Sequence, residues 1–292
     1  MTTPTVLARI SEAKAQYETL RIGKSDLLRI LSESELPEAV YNSNAIENST
    51  LTLEDTERIL LAVEISRHMD LREVHEAQNL GRVSEYISGR TAEPLDLALI
   101  ALLHKMLLSN INEPIAGRFR GPGEYVRVGT HIAPAPEQIE TMLRSMIVSF
   151  ESELTTHIVT RVARLHLEFE HIHPFNDGNG RIGRVLMNHA LQRHGFPPVI
   201  VRNKGKEKYY AMLRQYDLTG KSTLFESHLS AMILESLHRR ITYLRGARID
   251  TVSEVARAVG IKPNVMLNQS RRQVIPAFRE RGVWKIAADY QP

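Results

Sequence analysis

The stretch HPFNDGNGRIGR, from His173 to Arg184, sets the terms for everything around it. Before it, residues 154–172 show the three-to-four spacing of an amphipathic helix. Pro174 obliges that helix to stop, because the residue before a proline is pushed out of the helical region. After it, RIGRVLMNHAL returns to helical spacing. Between the two, Asp177, Gly178, Asn179 and Gly180 make a tight turn at a helix start. Such a turn leaves backbone N–H groups unpaired at the positive end of the helix dipole, which is a seat for phosphate. Arg181 and Arg184 leave the first turn and can reach further phosphate oxygens. Asp177 stands where a carboxylate could hold Mg²⁺ against those phosphates. His173 is the group in the loop that titrates near neutrality, which suits a general base acting on a hydroxyl.

Rival readings fail on context. Gly178, Gly180 and Gly183 spell G-x-G-x-x-G, but a dinucleotide fingerprint needs a strand before it and an acid about 20 residues later. Here a helix precedes it and position 203 is Asn. The GKS triplets at 23–25 and 220–222 have Glu18 and Gln215 where a phosphate loop needs its leading glycine. A plain glycine turn between core helices would explain the glycines, but not a His, an Asp and two Arg in one loop. His166, His171 and His173 cluster, yet no HExxH or cysteine partner accompanies them. His166 and His171 are therefore expected in a helix-surface role.

The same stretch resembles the Fic family signature H-P-F-x-D/E-G-N-G-R-x-x-R, matched at His173, Pro174, Phe175, Asp177, Gly178, Asn179, Gly180, Arg181 and Arg184. The likeness extends over 40–245 and takes in GRFR…VRVGTHIAP and PPVIVR…YYAML. It implies a Fic-type helical core with a short β-hairpin flap; with a small winged-helix or helix-turn-helix-like domain read from residue spacing after 245, the expected fold class is all-α. It also implies an enzyme that moves AMP from ATP–Mg²⁺ to a Ser, Thr or Tyr hydroxyl of a target protein and releases pyrophosphate. The family's phosphotransferase branch carries a lysine at the second glycine of GNG. Gly180 is kept here, which favours nucleotidyl transfer. By resemblance, His173 would deprotonate the target hydroxyl and Asp177 would hold Mg²⁺. Asp177, Gly178, Asn179, Gly180, Arg181 and Arg184 would bind the nucleotide. Among them Asn179, Gly180 and Arg181 would form the anion hole for the α/β-phosphates, and Arg184 would hold the γ-phosphate. Phe175 would anchor the loop in the core. The hairpin at Val126, Arg127, Val128 and Gly129 resembles the flap that aligns the target segment by strand addition and borders the nucleotide. The GPGEY connection before it is longer than usual. Tyr209, with Tyr210, matches the aromatic pair near the adenine, helix packing being the alternative. Asp217 falls where an Asn often contacts the base.

Upstream, Ser43-Asn44-Ala45-Ile46-Glu47-Asn48 places Ser43 and Glu47 on one helix face. Beside a Fic core it resembles the inhibitory motif [S/T]-x-x-x-E-[G/N]. That resemblance implies that Glu47 pairs with Arg184 and removes the γ-phosphate contact, leaving ATP bound but misaligned for in-line attack. Removal of AMP with Glu47 orienting water (de-AMPylation), or transfer of another nucleotide, are the alternatives at this site. The overlapping sequon Asn48-Ser49-Thr50 is read as coincidence, because no secretory signal is visible.

The rest of the chain is predominantly helical. Helical spacing is expected over 10–34, and at 53–67, 70–90, 94–109, 136–152, 154–172, 180–194, 206–217 and 225–245. Alternating, β-like patterning occurs at 124–134. The expected division is 1–95 as an N-terminal helical region holding 43–48, then 96–245 as the catalytic core with flap 120–134 and signature 173–184, then 246–292. In the last part, TVSEVARAVG, the turn IKP and NVMLNQSRRQVIPAFRERG give helix–turn–helix spacing, with VWKIA as a short strand. The chain has 292 residues, no cysteine and a formal charge of +3. The cysteine count excludes thiol chemistry and disulfides and suits a reducing compartment. No stretch is apolar enough to span a membrane, so a cytoplasmic location is expected. From Gly246 to Pro292 eight basic residues face four acidic ones, so this tail carries +4 and the remainder about −1. Arg271 and Arg272 could contact DNA phosphates, which makes a DNA-binding regulator the rival from another class. The expected partner is a target protein along the flap, and a homodimer is in keeping with the family.

Overall fold

The computed structural model describes residues 4–63 and 69–292. It divides into two compact units, one of Leu36–Gly195 and Ile200–Glu226, the other of Met1–Glu35, Phe196–Val199 and Ser227–Pro292. Helices α1 (Pro4–Leu20) and α2 (Ser25–Ile46) come first, and α2 runs through Pro37 without ending there. Thr52 opens α3 (Leu53–Leu60) with a capping box to Asp55. The sequence predicts a longer helix, to 67, but α3 stops at Leu60 and Ala62 takes φ 53°. Residues 64–67 of that expectation lie outside the described ones. Next come α4 (Leu71–Ser88), capped by Asp70, and α5 (Leu97–Leu108), capped by Asp96.

The first unit is built on two helices that have little solvent-facing surface. These are α7 (Ile158–Ile172) and α8 (Asn179–Arg193), with α6 (Ile139–Ser152) before them. Val159, Val162, Ala163, Leu167, Phe169 and Ile172 of α7 are buried, as are Ile182, Leu186, Met187, Ala190 and Leu191 of α8. Each large side chain hidden this way favours the fold by about 1.5–3 kcal/mol, so the link between α7 and α8 is fixed from both sides. Helix α7 packs on α6, α8 and α9 (Lys206–Thr219), and α4 on α3, α5 and α8. The alternation at 124–134 condenses to a hairpin of β1 (Arg127–Val128) and β2 (His131–Ile132), paired Arg127 to Ile132 and Val128 to His131.

In the second unit, α10 (Thr223–Leu244) contributes its residues from Ser227 onward. Glu35 of α2 receives Arg239 and Arg240, the latter 2% exposed, in a buried ion-pair group. Then β3 (Ile249–Thr251) leads through a Thr251–Glu254 capping box into α11 (Val252–Ala258), followed by α12 (Pro263–Arg271), β4 (Phe278–Glu280) and β5 (Val283–Ala287). The strands form an antiparallel sheet in the order β3-β5-β4. Val252, Val255, Ala256, Met266, Ile275, Ala277 and Ile286 make its core. Two helices joined by a short turn, α11 and α12, and a strand over VWKIA are present at the expected places. However, α12 ends at Arg271 and Gln273 takes φ 52°, so the expected second helix is shorter and its remainder supplies β4. No described helix is long and apolar enough to cross a membrane.

Candidate active site

The loop after α7 is held by residues from three other segments. His173 caps α7 with φ 49° and ψ 60°, its N–H bonded to the Phe169 carbonyl. Arg120, 3% exposed, donates from Nε to the His173 carbonyl at 2.8 Å. Its other nitrogens reach the carbonyls of Ile172, Glu124 and Pro134. Phe175 is fully buried, with its ring stacked on His104 at 3.6 Å between centroids. His104 accepts the Gly117 N–H at Nδ1, so its Nε2 carries the proton that goes to the Asp177 carbonyl, 3.0 Å away. Asn179 closes the loop on itself: its Oδ1 accepts from Phe175 N and its Nδ2 donates to Phe175 O. The Asn179 side chain thus braces the loop from within, and its backbone N–H, at the start of α8, is placed to meet an anion.

Gly178 takes φ 79°, a conformation that favours glycine, and admits α8. Asn179, Gly180 and Arg181 are the first three residues of that helix, so their N–H groups have no carbonyl four residues back. Arg181 is 3% exposed and lies 3.2 Å from Glu76 and 3.4 Å from Asp177. Asp177 accepts from Gly178 N at 2.6 Å and from Arg72 at 2.8 Å. It is a single half-exposed carboxylate at the mouth of the phosphate seat, and Arg72 is itself more than half exposed. The donor set fits a hard cation that brings most of its ligands with it, Arg72 being free to withdraw.

Across the seat stands the end of α2. Arg184 is 5% exposed and donates from Nε to Ser43 Oγ at 2.9 Å. From Nη2 it donates to the Ser43 carbonyl at 3.0 Å and to Glu47 Oε1 at 2.8 Å. The Glu47 carboxylate lies directly above the first turn of α8: a Cβ on Gly180 would collide with its Oε1. Burial alone would lower Arg184, but Glu47, with Tyr209 and Glu170, holds it above its ordinary value. Burial pushes the Glu170 carboxyl up to about 8 against the pull of Arg184, and its Oε1 has no hydrogen-bond partner among the described residues. Burial, aided by the charge on Arg120, lowers His173 to about 4. Its Nδ1 faces the Glu170 carbonyl at 3.4 Å, so Nδ1 carries the proton and Nε2 presents the lone pair.

The remaining expected residues are distributed unevenly. Val126, Arg127, Val128 and Gly129 form the hairpin and its turn, Gly129 at φ 59°, with Tyr125, Val128 and Ile132 exposed along it. Tyr209 is 2% exposed and its hydroxyl meets His166 Nε2 at 2.8 Å, so its face is spent on packing. His166 is 1% exposed, which corrects the surface role expected for it. Tyr210 donates to the Ile46 carbonyl at 2.8 Å. Asp217 pairs with His171 at 2.8 Å. Arg120, His104, Arg72 and Glu170 are the residues that sequence reasoning passed over. Of these, only Arg120 lay in a quoted stretch, GRFR.

Residues 94–191 match the model of the Fic/DOC family. The chain is 32% identical over 216 residues to Protein adenylyltransferase Fic of Nematostella vectensis, covering 72% of this chain and 50% of that protein. It thus spans about half the length of this curated relative. A Fic domain containing signaling protein from Bacteroides thetaiotaomicron has a solved structure that matches with a TM-score of 0.74 at 26% identity, over 82% of this chain and 97% of that one. A Fic family protein from Desulfovibrio desulfuricans matches over 100% of this chain and 98% of its own with a TM-score of 0.70; at 22% identity the likeness is one of fold. Residues 94–191 thus carry the match to the Fic/DOC family, and the loop and the first turns of α8 described above lie within it.

Proposed function

We propose that this chain is a self-inhibited protein adenylyltransferase. The observation that carries the proposal is the Glu47 carboxylate, set against Arg184 and above Gly180 at the N-terminus of α8. His173 is neutral at pH 7, and its Nε2 takes the proton of a target Ser, Thr or Tyr hydroxyl. That oxygen bonds to the α-phosphorus of ATP, the α–β bridging bond breaks, and pyrophosphate leaves. The N–H groups of Asn179, Gly180 and Arg181 hold the phosphate oxygens, and Arg181 adds a positive charge. Arg184 receives the γ-phosphate only when Glu47 gives it up. Asp177 would hold the Mg²⁺ that arrives with ATP, an ion that offsets phosphate charge. The target segment lies along the exposed edge of the β1–β2 hairpin, pairing by strand addition. Where the nucleotide's base rests is tested by Asp217 and Tyr210 rather than by the buried Tyr209.

The wider reading keeps the division at residues 95 and 245, a cytoplasmic setting and a homodimer. Arg257, Lys262, Arg271 and Arg272 are exposed on the helix–turn–helix, which supports phosphate contact with DNA through 246–292. The test of the main proposal is incubation with labelled ATP and Mg²⁺. Glu47→Gly should raise labelling well above wild type, and Glu47→Gly with His173→Ala should lose it while still binding nucleotide. An unchanged rate in the first sinks the brake; retained transfer in the second sinks the base. A mass increase equal to AMP on the product separates transfer from de-AMPylation and from another nucleotide.

A further inference from the structure

Away from the phosphate loop, two imidazoles and a carboxylate converge from three elements: His131 of β2, His171 of α7 and Asp217 of α9. Their donor atoms all lie within 4.8 Å of one another, and all three residues are half-buried. His171 Nδ1 is 2.8 Å from Asp217 Oδ1, and His131 Nδ1 is 3.7 Å from the same oxygen. The His131 Nε2 lies 2.9 Å from the His171 carbonyl oxygen. A carbonyl can only accept, so Nε2 carries a proton and Nδ1 is the ring nitrogen turned toward Asp217. The Nδ1 atoms of both histidines and the Asp217 carboxylate thus converge on one point, an arrangement that a cation can fill. The contact from Nε2 to a backbone carbonyl is also the kind that fixes the tautomer of a metal-ligating histidine.

We propose that His131, His171 and Asp217 form a binding site for a divalent metal ion of the zinc class, which ties the β1–β2 hairpin to α7 and α9. Two nitrogens and one carboxylate oxygen suit zinc, whereas magnesium and calcium take all-oxygen sets. Three protein ligands leave a fourth tetrahedral position for water or an incoming group. Binding through Nδ1 takes the tautomer of His171 that carries its proton on Nε2, so the proton now shared with Asp217 moves to the other ring nitrogen. His171 Nδ1 and Asp217 Oδ1 must then part from 2.8 Å to about 3.3 Å, the spacing of neighbouring ligands around tetrahedral zinc. The hairpin is only two residue pairs long, so one metal staple at His131 orders a large share of it. This inference does not depend on the transfer reaction.

The test uses the full chain near neutral pH, with Zn²⁺ titrated against a chromophoric chelator and Mg²⁺ as comparison. Wild type should bind one zinc per chain. His131→Ala and Asp217→Asn should each weaken it about tenfold or more, and His75→Ala should not. His131→Ala trims a half-buried side chain from a short hairpin and Asp217→Asn keeps its shape, so both retain the fold, which circular dichroism checks. As a second readout, amide exchange at 126–133 should slow on adding zinc to wild type and stay fast in His131→Ala. Equal zinc affinity in wild type and Asp217→Asn overturns the site. So does zinc binding no tighter than magnesium, or hairpin protection that survives His131→Ala.

Discussion

At φ 49° and ψ 60° the His173 backbone lies in the left-handed region, which costs a residue with a Cβ about 1 kcal/mol or more, so neighbouring contacts must hold it there. Arg120 supplies them through the carbonyls on both sides of the turn, those of Ile172 and His173, while its own N–H bonds Pro174. A planar guanidinium can serve several carbonyls at once from fixed directions, whereas an ammonium is a point charge on a flexible stem. Arg120→Lys should therefore leave at least one buried carbonyl unpaired and cost about 1–3 kcal/mol in urea unfolding. In the Glu47→Gly background the same change should lower the transfer rate about tenfold or more, because the base moves relative to the hydroxyl. A variant with wild-type stability and rate would show that the turn holds itself. None of this was legible in the sequence. The signature carries its own chemistry within a dozen letters, but Arg120 sits 53 positions away from His173, and the arginine of GRFR carries no mark of which carbonyls it meets.

At the scale of elements, the last turns of α2 are what make the Glu47 contact available. Val40, Ala45 and Ile46 are buried, Tyr210 bonds the Ile46 carbonyl, and Asn42 accepts from Asn203 N. The helix end is thus a fixed support from which Ser43 and Glu47 reach one arginine. Ser43 supplies two of the three acceptors, its Oγ and its carbonyl, and only the first can be removed by mutation. Ser43→Ala should lose one hydrogen bond to a charged group, about 1.5 kcal/mol, or roughly tenfold in the released population. Its labelling rate should fall between wild type and Glu47→Gly, and a rate equal to wild type would confine the brake to Glu47. The Ser43–Glu47 face could be read beforehand because i, i+4 spacing is a property of any helix. So could most helix positions, since apolar periodicity reports a buried face. What that face meets is not encoded locally. Periodicity placed His166 on a helix but not inside the core, and β3 and β4, at three residues each, are too short to show alternation.

Over the whole molecule, the deciding electrostatic feature is the number of histidines kept neutral by burial. Burial lowers His104, His173 and His238 to about 4 and His166 to about 3, each below the ordinary 6.5. Between pH 6.5 and 4 the unfolded chain takes up protons that these sites refuse, so stability is full above 6.5 and falls as the pH drops through that window. Glu170 acts in the opposite sense. With its carboxyl raised to about 8 from 4.5, its contribution is greatest at low pH and is lost as the pH rises from 4.5 to 8. Burial also lowers His157 and His189 and raises Glu168, so six histidines stand against two carboxyls, and acid destabilisation wins below 6.5. His238 makes a clean probe, because Gln273 Nε2 donates to the Ser270 and Ala277 carbonyls, which fixes its Oε1 as the acceptor for the His238 Nδ1 proton at 2.9 Å. His238→Asn keeps a donor there but cannot take a second proton. Urea midpoints should fall markedly from pH 7 to pH 5 in wild type and fall less in His238→Asn, by up to about 2 kcal/mol in unfolding free energy. A wild-type midpoint that holds steady across that range would mean that these histidines find water or a counter-charge when protonated, and burial would not be the cause of their low affinity for protons.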